Sequence, residues 1–465
     1  MDKKYKSLGK NSLIFTVGNI SSAAISFLML PLFTHLLSTE EYGLIDFINI
    51  TITLLIPLIS FNIVEAIIRF GLDSNYDNKR VFSTSIGVFV IVFLLSSIIA
   101  IGINSIFTFK FDIKVIIGIL FFVTLYRIIH EFSRAINKIK LYVFADVLYS
   151  IFFASFNIIL IAYFHFGIEG YFISYISAHL LCTIILLFFG RIYKYFSISC
   201  IDIKYLKEFN RFCLPLIPNS VTWWATNVSD RYLITYFSGL SSLGIYSVAN
   251  KFPQLLSNFY NIFAKAWQIS SVQEFNKKDT DIFYSTVFNS LTRFIFLIII
   301  LINLFINTIV HFFIGNEYKE VIYFIPILLL GFSFYIFSNF LGTIYTASKT
   351  TNGALKTTLV SALVNLIANL IMIPIYGPIA AAISTLLSYF VLFFYRYIDT
   401  KKMIYISIDT KSFILSILLI FVQIYLINNI DNIIYLLILN VLVLGIYTFE
   451  NLKEISLIYK KIKRA

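Results

Sequence analysis

Apolar runs of about 20 residues, separated by short polar breaks, fill almost the whole chain, and each is long enough to cross a ~30 Å hydrocarbon layer as a helix. Reading runs against breaks predicts spans at residues 11–36, 43–69, 81–107, 114–136, 141–165, 168–190, 212–237, 243–268, 285–313, 321–346, 354–375, 377–397, 411–428 and 432–450. These fourteen helices leave no stretch long enough for a soluble domain. A transmembrane barrel would need alternating segments of about 10 residues, and a run such as Thr292 to Asn307 does not alternate. The fold class is therefore an all-α polytopic membrane protein, in which every backbone polar group inside the lipid is satisfied within its own helix.

The charges in the breaks test this segmentation, because an invented or missed helix would scramble them from that point on. With the N-terminus on the cytoplasmic side, 29 of the 36 Lys and Arg fall in inside segments, and only Lys110, Lys114 and Lys319 fall outside. Both termini are thus expected in the cytoplasm. The run of Lys3, Lys4, Lys6 and Lys10 before a long apolar stretch resembles a signal peptide but lacks a small-residue cleavage site, so it reads as the start of a retained first helix. Two inside stretches are long: residues 191–211, basic and amphipathic, and residues 269–284.

Composition agrees, with 59% hydrophobic and 13% charged residues among 465, against about a quarter charged in soluble domains. The formal charge of +12 is spread over many short loops, which marks topology rather than a nucleic-acid face. Cys182, Cys200 and Cys213 show no CxxC spacing, and the five His fit no ligand pattern, so no metal or resident cofactor is expected.

An internal repeat organises the chain. Leu37-Ser38-Thr39-Glu40-Glu41-Tyr42-Gly43-Leu44 after helix 1 is echoed by Gly239-Leu240-Ser241-Ser242-Leu243-Gly244-Ile245-Tyr246 after helix 7, with Gly43 and Gly244 201 residues apart. Phe166-Gly167-Ile168-Glu169-Gly170 is echoed by Tyr376-Gly377-Pro378-Ile379-Ala380 at an offset of 210. Six helices per unit give two halves of the same orientation, a parallel repeat. The expected division is an N-lobe at 1–200 including the linker, a C-lobe at 201–402, and helices 13 and 14 with a basic tail at 403–465.

These glycine turns, with the Tyr-Gly-Pro-Ile-Ala-Ala-Ala entry into helix 12, resemble the polysaccharide transporter family, which contains the Wzx-type flippases of the multidrug/oligosaccharidyl-lipid/polysaccharide (MOP) superfamily. The resemblance implies two six-helix lobes around a central cavity, with two further helices beside it. It implies an undecaprenyl-diphosphate-linked oligosaccharide as cargo, moved between leaflets of a bacterial cytoplasmic membrane by alternating access for surface polysaccharide biosynthesis. Membrane lipids and polysaccharide polymerase machinery are the partners it suggests.

Charges inside spans are few, and each needs a cavity, a partner or a route to the interface. Arg231 in helix 7 and Lys251 in helix 8 both fall roughly 10 Å below the expected outer boundary at 1.5 Å per residue. They attract a diphosphate, Arg by a forked pair of hydrogen bonds and Lys as a point charge, or Asp230 pairs with one of them to hold helix 7 on helix 8, or they snorkel to the interface. Arg127 in helix 4 and Arg293 in helix 9 form a candidate inner phosphate station; the alternatives are neutralisation of Arg127 by Glu131 at i+4 and snorkelling of Arg293 to the interface. Glu65 and Arg69, also four apart, read as an interfacial pair. Trp223 and Trp224, flanked by Asn219 and Asn227, offer ring faces and amides to a sugar, or else serve as packing and boundary anchors. Asp230, Asp46 and Asp146 are the acids available to a coupling H+ or Na+.

The in-span excess of Arg and Lys argues for an anionic substrate, and so favours a lipid-linked oligosaccharide flippase over a multidrug or cation antiporter of the same superfamily, whose cleft should carry unpaired acids. A membrane glycosyltransferase or O-antigen polymerase should carry a large outside loop with catalytic groups, and here the outside loops are short. An enzyme is disfavoured, and no GxxxxGK[ST] stretch is present for ATP.

Overall fold

The computed structural model describes residues 18, 20–106, 112–275, 277–430 and 432–462, with side chains at all of these except 223, 225–227, 351 and 452–462. Lys3, Lys4, Lys6, Lys10 and the start of the first expected span lie outside the described residues. Among the described residues every regular element is helical: α1 (Ile20–Leu36), α2 (Thr39–Ile59), α3 (Ile63–Gly71), α4 (Asn78–Ile106), α5 (Ile113–Ala135), α6 (Ile139–Asn157), α7 (Gly167–Phe189), α8 (Ile203–Cys213), α9 (Leu216–Ala249), α10 (Lys251–Glu274), α11 (Thr280–Leu304), α12 (Ile306–Phe313), α13 (Val321–Ala347), α14 (Thr351–Tyr376), α15 (Pro378–Thr400), α16 (Thr410–Asn429) and α17 (Ile433–Ile462).

Eleven of these are long and apolar enough to cross a membrane. The other three expected spans are helical too: α1 is shorter over its described residues, and α9 and α10 carry Asp230, Arg231 and Lys251. Ile91, Ile98 and Ile99 stand out from α4 as an exposed apolar face, which is stable only where lipid covers it. Polar residues at buried positions turn inward on their own helices, as Ser174 and Thr183 do by donating to carbonyls four residues back.

The chain divides into two compact units, one formed by residues up to 37 and 44–229, the other by 38–43 and 230–465. In the first unit the expected second span is two helices. Pro57 lies inside α2 and removes one backbone donor. Ser60, Phe61 and Asn62 then leave the helical path, with Phe61 (φ 51°) and Asn62 (φ 54°) left-handed. The Asn62 N–H bonds back to the Pro57 carbonyl at 2.9 Å, closing α2 before α3 begins. The linker at 191–211 is an amphipathic element as expected: α8 buries Phe209 and Cys213 and exposes Lys204, Lys207 and Arg211. It is fixed to the start of α4 by an Arg80 to Asp202 ion pair of 2.9 Å and by the Tyr76 hydroxyl donating to Glu208 at 2.5 Å. The stretch at 269–284, expected as a loop, is mostly helical, since α10 runs to Glu274 and α11 starts at Thr280.

In the second unit Gly239 (φ 85°, ψ 175°) interrupts α9 where the turn after helix 7 is expected, and Gly43 and Gly244 each lie about one turn into the helical segment that follows its break. A Cβ on Gly43 would stand 1.9 Å from the Leu240 carbonyl oxygen, and one on Gly244 would stand 2.0 Å from that of Thr39. The two segments therefore cross backbone to backbone, each glycine making room for the other. The second echo is conformational: Gly167 (φ 53°) and Gly377 (φ 65°) are both left-handed turns into the helix that follows.

The last two helices are bound to α11. Arg293 pairs with Asp409 at 2.6 Å, the Tyr447 hydroxyl donates to the Arg293 carbonyl at 2.6 Å, and buried Asn303 donates to Gln423 at 3.2 Å. Arg396, placed by its position among the inside charges, is buried in α15, donating to the Ser338 carbonyl at 2.8 Å and to Thr358 and Thr357 at 3.1 and 3.2 Å.

Candidate functional site: a polar cavity at a broken helix

The break between α2 and α3 opens a cavity of about 330 Å³ in the first unit. Thr53, Ile56, Pro57 and Ser60 line it from the α2 side, Asn62, Val64 and Glu65 from the α3 side, Arg127 from α5, and Asn219, Ser220 and Trp224 from the start of α9. A helix beginning inside a membrane-spanning segment presents its positive dipole end there, and the Ile63 and Glu65 N–H groups of this one bond back to the Ser60 and Asn62 carbonyls at 3.0 and 3.1 Å.

Hydrogen bonds hold this wall in place. Asn62 donates from Nδ2 to the Ser220 hydroxyl at 3.1 Å, Trp224 donates from Nε1 to the Ile50 carbonyl at 2.9 Å, and the Cys213 thiol contacts the Asn62 carbonyl at 3.5 Å. Ser60 Oγ is buried, with the residue 1% exposed, and has no hydrogen-bond partner in the structure. It is a polar group on the cavity wall that a bound water or ligand would satisfy.

The two charged groups here are not neutralised by the neighbours expected for them. Glu131 is taken by Arg134 at 3.0 Å and by the Tyr142 hydroxyl at 3.2 Å, which corrects the expected Arg127 to Glu131 pair. Arg69 pairs with Asp73 at 3.2 Å, which corrects the Glu65 to Arg69 pair. In each case a partner closer to the helix end competes successfully. Arg127 and Glu65 are both exposed to the cavity, and among the described residues neither makes an ion pair or side-chain hydrogen bond.

The remaining candidates lie elsewhere. Arg231 and Lys251 are half-buried in the second unit and each contacts a partner group. Beside them Asp230 accepts from the Tyr246 hydroxyl at 2.7 Å and from the Arg231 backbone N–H at 2.9 Å. Arg293 is held by Asp409 against the last two helices, which fits a structural ion pair rather than snorkelling. Asp46 is half-buried with partners of its own. Asp146 lies 3.1 Å from His130 Nε2 and accepts from the Tyr126 hydroxyl at 3.4 Å. Of the aromatic and amide set, Asn219 and Trp224 line the cavity, while the Trp223 and Asn227 side chains lie outside the described residues.

Sequence reasoning missed Ser60, Asn62, Glu65 and Ser220 as cavity residues. The signal was present in Pro57-Leu58-Ile59-Ser60-Phe61-Asn62, a proline followed by two polar residues inside an apolar run.

Compared with known proteins, residues 8–268 match the family model described as polysaccharide biosynthesis protein. The chain belongs to that family. Residues 215–371 match the MatE model. No curated protein matches the sequence. The family fold is shared with a lipid II flippase, MurJ, in an inward closed conformation, at 17% identity and a TM-score of 0.67, covering 96% of this chain and 99% of that one. It is shared with an inward-facing MATE multidrug resistance transporter at 14% identity and a TM-score of 0.62, covering 85% of this chain and 94% of that one. A MOP superfamily transporter from Pyrococcus furiosus matches at 14% identity and a TM-score of 0.57, covering 85% and 96%. The expected membership of the MOP superfamily is met, and this family member is a multi-pass membrane protein of its flippase and transporter fold.

Proposed function

We propose that this protein is a flippase for undecaprenyl-diphosphate-linked oligosaccharides in the bacterial cytoplasmic membrane, moving them by alternating access for surface polysaccharide biosynthesis. The observation that carries the reading is Arg127, an exposed guanidinium on a membrane-spanning helix with no described counter-ion, facing a polar cavity. A charge at that depth costs about 2.5 to 3.5 kcal/mol on insertion scales. A diphosphate would supply the missing anion through a forked pair of hydrogen bonds. The positive end of α3 adds to the attraction, and Trp224, Asn219 and Asn62 give the first sugar a ring face and amides.

Arg231 and Lys251 remain proposed as a second anion station and Asp230 as a coupling-ion ligand, while Arg293 is proposed as a structural residue. The test is transport of defined undecaprenyl-diphosphate oligosaccharides in proteoliposomes, with and without H+ or Na+ gradients. Arg127→Gln should reduce flipping at least tenfold with insertion intact, and Arg127→Lys should keep part of it. Normal flipping by Arg127→Gln would overturn the reading.

One observation favours a second reading. Glu65 is exposed in the same cavity without a described partner, the feature expected of a cation antiporter of this superfamily. Glu65→Gln should abolish export of organic cations in that case and leave the anionic cargo's transport largely intact in the first.

A further inference from the structure

We infer that the head group taken by the cavity of the first unit carries an ammonium beside its anion, a free amine on the sugar joined to the diphosphate, with Glu65 as its receptor. This specifies the cargo of the proposed flippase and rests on the reading that Arg127 holds the diphosphate. The Glu65 carboxylate has three neighbours that could take it, and none does. Asn62 and Glu65 have the spacing of a capping box, in which the acid would accept the Asn62 N–H. That N–H bonds instead to the Pro57 carbonyl at 2.9 Å, and the Asn62 side chain turns to Ser220 at 3.1 Å. Arg69, one turn on, is held by Asp73 at 3.2 Å. Arg127 lines the same cavity and does not pair with Glu65.

The two helices set the relative depth of the two charges. A Cβ on Gly71 would stand 2.8 Å from that of Ala135, so the ends of α3 and α5 touch. Phe82 packs on Phe132 and Phe93 on Phe121, which makes α4 and α5 antiparallel. Since α3 turns directly into α4 through residues 72–77, α3 and α5 run in the same direction. At 1.5 Å per residue, Glu65 stands about 9 Å along its helix from the shared end and Arg127 about 12 Å. The acid and the cation thus face the cavity from two walls at nearly one depth.

The space between them is small. Its volume of about 330 Å³ is at the low end for ligand pockets, which suits a phosphate and part of one sugar rather than an extended glycan. Arg127 and Glu65 together give the site no net charge, so a cargo whose only charge is phosphate meets attraction at one wall and opposition at the other. An ammonium on the adjoining sugar turns that opposition into a second attraction, and one cargo then uses both groups at once. An ammonium has three donors and no acceptor. Besides the Glu65 carboxylate, the wall offers it Ser60 Oγ, buried and without a partner, and Thr53 Oγ1, whose own hydrogen goes to the Ile50 carbonyl at 2.6 Å. Hydrogen bonds between charged groups are the strong ones, but Glu65 is exposed to the cavity, which screens part of the gain. A preference of roughly tenfold over the same sugar bearing a hydroxyl is expected.

The experiment measures binding of three farnesyl diphosphate glycosides to the full-length protein in nanodiscs: the glucoside and its 2-amino and 4-amino counterparts. It is run at about pH 6.5, below the range in which ordinary amines lose their charge, once with Mg2+ and once with EDTA. The wild type should bind at least one amino glycoside roughly tenfold more tightly than the glucoside. Glu65→Gln, whose neutral side chain is easier to bury than the charge it replaces, should erase that preference and leave the glucoside's affinity equal or slightly raised. Arg127→Gln should weaken all three. No preference in the wild type, a preference that survives Glu65→Gln, or glucoside binding that needs both Mg2+ and Glu65 overturns the amine and leaves the anion site standing. No binding of the glucoside by the wild type, or undiminished binding by Arg127→Gln, overturns the anion site and the amine with it.

Discussion

Replacing Asp409 by Asn isolates the charge that holds the last two helices to α11. Asp409 caps α16 by accepting from the Ser412 N–H at 3.3 Å, a role that Asn also fills. What is lost is the 2.6 Å ion pair to Arg293, whose side chain is 10% exposed against 34% for Asp409. Two unit charges about 4 Å apart at an effective dielectric near 20 attract by about 4 kcal/mol. Solvent reaches a third of the carboxylate, so about half of that, some 2 kcal/mol, is the expected cost of losing this pair's attraction. Arg293→Met with Asp409→Asn removes both charges and should recover most of the loss, a coupling that a double-mutant cycle reads directly. The assay is equilibrium unfolding in mixed micelles beside transport in proteoliposomes. Wild-type stability in Asp409→Asn, together with transport abolished in a stably folded Arg293→Gln, would refute the structural role and return Arg293 to the substrate path.

Gly43→Ala and Gly244→Ala should each destabilise by at least about 1 to 3 kcal/mol, since the added methyl meets a backbone carbonyl that no rotamer can move; unfolding midpoints equal to wild type would show that the helices separate freely. Asn62→Ala loses the Ser220 hydrogen bond and strains a left-handed residue, together about 2 kcal/mol, while Asn62→Gly should regain the strain part, as read by the same unfolding assay. The hydrogen bond to the Glu208 carboxylate, helped by burial, holds the Tyr76 hydroxyl above its ordinary range. A raised phenol contributes stability below the free phenol's pKa near 10 and loses it as pH rises through the raised value. Exchange of α8 amides should therefore quicken above about pH 10 in the wild type, and Tyr76→Phe should show that faster exchange already at neutral pH.

The sequence by itself determined the class and the spans. Hydrocarbon accepts only backbones that satisfy themselves, so runs of about 20 apolar residues have one outcome. The echoes at Gly43 with Gly244 and Gly167 with Gly377 were legible because a missing Cβ and a left-handed turn leave few other residues possible. Arg127 and Trp224 stood out as rare residues in an apolar background. What the sequence did not determine was which partner each charge takes. Helical spacing allows Arg127 with Glu131 and Glu65 with Arg69, but Arg134 and Asp73 compete for the same groups and win. That choice, which leaves Arg127 and Glu65 at a cavity without an ion pair among the described residues, was decided by tertiary structure. So were the pairing of Arg293 with a residue 116 positions away and the meeting of His130 with Asp146 across two helices. Contacts between side chains far apart in sequence depend on how helices rotate and bend against one another, and periodicity along one strand of sequence carries no record of that rotation.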